Sequence, residues 1–142
     1  MTERVLLVDD EPEVLDGIRR HLARRFDIDT ATSGREALKK LATGEGYAVI
    51  VADMKMPLMS GIELLREVRI ASPHTVGMML TGFGDKQTAE DAVKNGHVFH
   101  FLSKPCNSDD LGTAIAACLE LFRLNRKIRD LQTSMGSMDN AA

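Results

Sequence analysis

The sequence predicts an α/β protein built on a doubly wound, five-stranded parallel sheet, and three observations carry that prediction. Short apolar runs alternate with amphipathic helical patterns along the chain, as repeated βα units require. The runs "VLLV", "AVIVA" and "VGMML" are almost continuously apolar, as strands covered by helices on both faces must be. The length of 142 residues fits one compact domain, which buries roughly two thirds of its unfolded surface and needs no disulfide or structural metal.

The strands are expected at residues 5–8, 28–31, 48–52, 76–80 and 98–102. A first helix follows Pro12, a residue tolerated in a first turn, and places Val14, Ile18 and Leu22 on one face. The second and third helices start at capping boxes, Ser33 with Glu36 and Ser60 with Glu63. Pro73 closes the third, and "KNG" at residues 94–96 ends the fourth with a glycine suited to the left-handed C-terminal position. The fourth helix has a thin apolar face of Ala89, Ala92 and Val93, which marks it as a moving part. The fifth begins near Asn107 or Ser108, with Asp109 and Asp110 where negative charge suits the helix dipole. Leu111, Ile115, Cys118 and Phe122 would cover the sheet. A second stripe, Leu121, Leu124, Ile128, Leu131 and Met135, keeps alternating three- and four-residue spacing for about two heptads. The expected division is a domain over 1–125, a helical extension or linker over 126–135 and a disordered tail over 136–142.

Eighteen basic against twenty-one acidic residues, a net charge of −3, argue against a protein that grips nucleic acid through its overall charge. Cys106 and Cys118 have neither CxxC spacing nor a disulfide framework and read as reduced thiols. With no signal sequence and no apolar run of membrane-spanning length, a cytoplasmic protein is expected.

In an open parallel sheet the functional crevice lies outside the carboxyl ends of the strands, where strand order reverses. The first strand ends at Asp9 and Asp10, the third at Asp53, the fourth at Thr81 and the fifth at Lys104. If the second strand lies outside the first, the order is 2-1-3-4-5 and the three carboxylates meet at the reversal. Such a cluster persists cheaply only around a cation, and hard oxygen ligands with room for water favour Mg²⁺. Phosphate chemistry follows, because phosphoryl transfer needs mainly positioning and charge neutralisation, and a carboxylate can itself be the nucleophile.

Together "LLVDDE", "VIVADMKMPLMSG", "MMLTGFGD" and "FHFLSKP" resemble the receiver domain of bacterial two-component response regulators, from residue 4 to about 125. The resemblance implies a flavodoxin-like receiver fold with an extended C-terminal helix. It implies that Asp53 takes a phosphoryl group from a phosphohistidine, and that Asp10, Asp53 and the backbone carbonyl of Lys55 bind Mg²⁺ while Asp9 orients a metal-bound water. It implies that Lys104 contacts the phosphoryl oxygens, before a bond to Pro105 that is usually cis. Thr81 would hydrogen-bond the new group, and Phe101, where tyrosine is frequent, would rotate inward. The face of the fourth helix, fifth strand and fifth helix would then change its affinity for partners. Ser60 stands where aspartate is common, and Lys55 and Phe83 occupy positions that influence phosphoryl lifetime. The implied partners are a sensor histidine kinase or phosphotransfer protein and a downstream effector or fused output domain; the second leucine stripe itself points toward an output domain or a second copy through the C-terminal helix.

Two other readings compete. The chain can be the input portion of a longer regulator, with the leucine stripe leading toward an output domain. A phosphohydrolase of the aspartyl-phosphate type is disfavoured, because its D-x-D pattern would need an acid where Asp53 is followed by Met54 and Lys55. No enzyme activity beyond the chain's own phosphorylation and dephosphorylation is expected. His21, His74, His97 and His100 read as surface or packing residues, with His97 and His100 on opposite faces of the fifth strand. Arg123, Arg126, Lys127 and Arg129 read as a solvated helix face.

Overall fold

The computed structural model describes residues 3–43, 46–82 and 84–141, with side chains as far as residue 136. Five strands alternate with five helices: β1 Arg4–Val8, α1 Pro12–Leu22, β2 Asp27–Ala31, α2 Gly34–Ala42, β3 Val49–Asp53, α3 Gly61–Ala71, β4 Val76–Thr81, α4 Lys86–Lys94, β5 His100–Ser103 and α5 Ser108–Ala141. The strands form one parallel sheet in the order β2-β1-β3-β4-β5. Order therefore reverses between β1 and β3, as expected.

Alternation of side chains across the strands divides the core in two. Val5, Leu7, Val49, Val51, Met78 and Leu80 pack with α1 and α5. Leu6, Val8, Ile50, Ala52 and Met79 pack with α2, α3 and α4. All five residues of β3 are buried, which explains why its sequence shows no polar alternation.

Helix starts follow local chemistry. Ser33 Oγ accepts from the Glu36 amide at 3.1 Å, and Ser60 Oγ from the Glu63 amide at 3.2 Å. The return bond of the first box goes one residue upstream, where Glu36 Oε2 accepts from the Thr32 amide at 3.0 Å. Asn107 Oδ1 accepts from the Asp110 amide at 2.8 Å and opens α5.

Three expectations are corrected. The stripe that α1 buries is Leu15, Ile18 and Leu22 in place of Val14, Ile18 and Leu22. β5 starts at His100, not at residue 98, because the His97 and Val98 amides both donate to the Ala92 carbonyl. Gly96, at φ +75°, makes that wrap around the end of α4 accessible, and Val98 is buried as part of the turn. Finally, α5 remains helical through Ala141 where an irregular tail was expected over 136–142. Extending an existing helix needs no new nucleus, and the segment holds no proline and one glycine, Gly136, a cost of about 1 kcal/mol.

Leu111, Ile115, Cys118 and Phe122 are buried against the sheet, and burial pushes the Cys118 thiol up to about 12. Both cysteines are free. Beyond Phe122 the helix leaves the sheet, and Leu124, Ile128, Leu131 and Met135 are exposed. Among the described residues no helix is long and apolar enough to cross a membrane.

Candidate functional site

The strand ends bring together the residues predicted to meet. One oxygen from each of Asp9, Asp10 and Asp53 lies within 4.8 Å of the others. Asp9 and Asp53 are buried, whereas Asp10 is exposed. Lys104 Nζ stands 2.9 Å from Asp53 Oδ1 and 3.7 Å from Asp9 Oδ2. Backbone bonds continue past the strands and fix these ends: the Met54 amide donates to the Leu80 carbonyl at 2.8 Å, and the Lys104 amide to the Thr81 carbonyl at 2.7 Å. The Lys104–Pro105 peptide bond is cis.

The electrostatics are those of a site short of positive charge. Burial drives the Asp9 carboxyl above its ordinary range; a hydrogen bond from the Glu11 amide works against this, while the Asp53 charge reinforces it. Burial alone would lower the Lys104 ammonium, but its hydrogen bond to Asp53 and the charges of Asp53 and Asp9 outweigh that and raise it. Among the described residues three buried polar atoms lack any hydrogen-bond partner: Asp9 Oδ2 and Thr81 Oγ1 at the strand ends, and Asp85 Oδ2 just before α4. A hard cation fits this set: an orphaned buried carboxylate oxygen beside two more acids is what oxygen-preferring divalent ions bind.

The response regulator receiver domain profile matches residues 5–116. The chain belongs to this family. Its receiver domain is 37% identical over 112 residues to the uncharacterized transcriptional regulatory protein YesN of Bacillus subtilis, covering 76% of this chain and 30% of that protein. Regulatory protein AtoC of Escherichia coli is 31% identical over 139 residues, covering 94% of this chain and 29% of its own length. The chain thus spans less than a third of these curated relatives. A crystal structure of adenylate cyclase from Rhodopirellula baltica superposes with a TM-score of 0.91 at 40% identity, covering 94% of this chain and 98% of that one. Receiver domains are signal-transduction modules of two-component systems, not enzymes in the ordinary sense.

Around the receiver's acidic centre lie two residues, Leu58 and Gly61, and one pairing, Lys55 with Asp85, that sequence reasoning did not single out. Leu58 is fully exposed with φ +68°, at the apex of a tight turn in which the Met59 amide donates to the Pro57 carbonyl at 2.7 Å. Gly61 begins α3 directly under Asp53, and a β-carbon there would run into the Asp53 carbonyl oxygen. Lys55 Nζ reaches Asp85 Oδ2 at 3.5 Å, joining the loop after β3 to the loop before α4. A glycine at a capped helix start was a legible signal for Gly61, but the pairing of Lys55 with Asp85 had none.

Phe101 is half-buried on the α4 side of β5, paired with Met79 of β4. Thr81, two residues beyond Met79, faces the same side. Phe83 lies outside the described residues. His97 precedes β5, so the reason given for separating it from His100 changes; among the described residues Asp9, Asp10 and Asp53 alone group as metal-binding side chains. The basic face of α5 is solvated, as expected, and is also paired. Arg123 forms a two-pronged bond to Glu3, Arg126 lies 3.7 Å from the same carboxylate, and Arg129 reaches His74 Nδ1 at 2.9 Å.

Proposed function

We propose that Asp53 accepts a phosphoryl group from the phosphohistidine of a sensor kinase or phosphotransfer protein. The phosphorus–nitrogen bond of the donor breaks, the histidine nitrogen keeps the electron pair, and a bond forms between phosphorus and an Asp53 carboxylate oxygen. The observation that carries this reading is the convergence of Asp53 with Lys104 at 2.9 Å beside two further acids at the reversal of strand order. Asp10, Asp53 and the Lys55 carbonyl would hold Mg²⁺, with Asp9 positioning its water. Bound there, Mg²⁺ would neutralise the acids and the incoming phosphoryl oxygens. Lys104, already on Asp53, follows the added charge, and the unpartnered Thr81 hydroxyl is available to donate to it. Phe101 beside it would repack and alter the face formed by α4, β5 and α5.

The test is intact mass after incubation with Mg²⁺ and either acetyl phosphate or phosphoramidate, for the native chain and for Asp53→Asn, with and without chelator. The expected result is a magnesium-dependent gain of one phosphoryl group that is lost in the variant. An undiminished gain in Asp53→Asn would move the acceptor elsewhere.

A second reading concerns context. Because the chain spans 30% of YesN, which is named a transcriptional regulator, it serves as the input portion of a longer regulator whose output follows α5.

A further inference from the structure

The amino ends of β4 and β5 border a cavity of about 210 Å³, at the other end of the sheet from Asp53. Along β4, Val76 beside the cavity and Thr81 beside the acids are separated by about 16 Å. Val76, Val98 and Leu121 form an apolar wall. Arg69 near the end of α3, His97 after α4 and Asn125 of α5 supply polar groups. Among the described residues no carboxylate lines the cavity, in a chain whose net charge is −3. The side chains of Arg69, His97 and Asn125 make no hydrogen bond or ion pair with the described residues, so their N–H donors converge on the cavity with no protein acceptor. The negative ends of α3 and α4 nearby are already engaged: the Val68 carbonyl accepts from the Ser72 amide at 2.7 Å, and the Ala92 carbonyl from the His97 amide at 2.9 Å. Donors and positive charge are what remain unmatched. An apolar cavity of about 150 Å³ holds one benzene ring, so this one admits a ring with a small charged group besides.

We propose that the cavity binds a small organic anion, an apolar body about the size of one ring that carries a carboxylate. The body packs on Val76, Val98 and Leu121, and the carboxylate pairs with Arg69 and accepts from His97 and Asn125. Such a ligand ties α5 to the ends of β4 and β5. Leu121, Asn125 and Arg129 recur every four residues along one side of α5, and Arg129 already reaches His74 at the rim at 2.9 Å. The ligand adds a tie one turn earlier. The cavity shares no residue with the acidic centre, so this inference does not rest on phosphorylation of Asp53.

Titration of the full chain with sodium benzoate, followed by amide proton–nitrogen correlation spectra, tests it. The expected result is saturable shifts at Gly77, Gly96, His97, Phe99 and Asn125, with a dissociation constant on the order of 1 mM for about nine non-hydrogen atoms. Benzyl alcohol, which has the ring without the charge, and inorganic phosphate, which has charge without the ring, should each bind at least about tenfold more weakly. Arg69→Gln should weaken benzoate about tenfold, and Asn125→Trp, which fills the mouth of the cavity, should abolish its shifts, both with unchanged melting. Shifts that do not saturate by roughly 20 mM, or benzoate binding undiminished in both variants, would overturn the proposal. Phosphate binding as tightly as benzoate would overturn the apolar half of the site, and benzyl alcohol binding as tightly would overturn the anionic half.

Discussion

Lys104 Nζ lies 2.9 Å from Asp53 Oδ1, and it is the cation nearest the buried acids at the end of the sheet. The pair joins β3 to the turn after β5 across the whole width of β4, so charge at Asp53 and the position of the sheet edge are coupled.

Removing that cation makes the protein depend on metal. Lys104→Met leaves the acidic cluster without its ammonium, and the expected loss in chelator is about 1–2 kcal/mol, discounted because the lysine is partly exposed to water. Magnesium then stabilises the variant more than the native chain. Urea unfolding with and without Mg²⁺ measures both increments; equal increments would mean that Lys104 and the metal do not share a site.

Thr81 carries a buried hydroxyl with no hydrogen-bond partner. Thr81→Val keeps its shape and removes the orphan group, so the unmodified protein should be unchanged or up to about 1 kcal/mol more stable in urea. The phosphorylated protein should lose its response, read as equal partner affinity with and without acetyl phosphate.

Away from the site, Asp29 sets part of the acid limit of stability. Burial would raise it, but hydrogen bonds from the Tyr47 hydroxyl at 2.5 Å, the Lys40 ammonium at 3.1 Å and the Thr30 amide hold it below its ordinary value of 3.8. A depressed carboxyl contributes in full above its unfolded value and loses that contribution as pH falls through the folded one. Asp29→Asn should therefore be about 1–2 kcal/mol less stable near neutrality and converge with the native chain as pH falls below 3.8 and through the depressed folded value. A constant gap in melting temperature across that range would contradict the assignment.

Gly61 has no room for a side chain. Gly61→Ala pushes the first turn of α3 against the Asp53 backbone and should destabilise by about 1–3 kcal/mol. Phosphorylation from acetyl phosphate should slow as well, because the acceptor moves with its backbone. A variant that melts and reacts like the native chain would show that α3 shifts freely.

What the sequence made legible was local or periodic. Ser33, Ser60 and Asn107 act within one helical turn, and Asp9, Asp53, Thr81 and Lys104 could be placed because apolar runs point to their own ends. Illegible were the contacts that depend on how distant loops fall. Asp85 meets Lys55 across thirty positions of chain, and Glu3 meets Arg123 from opposite ends of the domain. The start of β5 was misplaced because Val98 is as apolar as a strand residue, yet its amide is taken by the end of α4.

The grip of Glu3 on Arg123 has a mechanical meaning. Glu3 leads directly into β1, so with Arg129 held on His74 the helix is fastened to the domain as far as Arg129. From Arg129 to Ala141 the rod extends about 18 Å, and a tilt of about 5° at its base would sweep the tip through about 1.6 Å. A repacking too small to see at the strand ends would thus arrive, enlarged, wherever that helix leads.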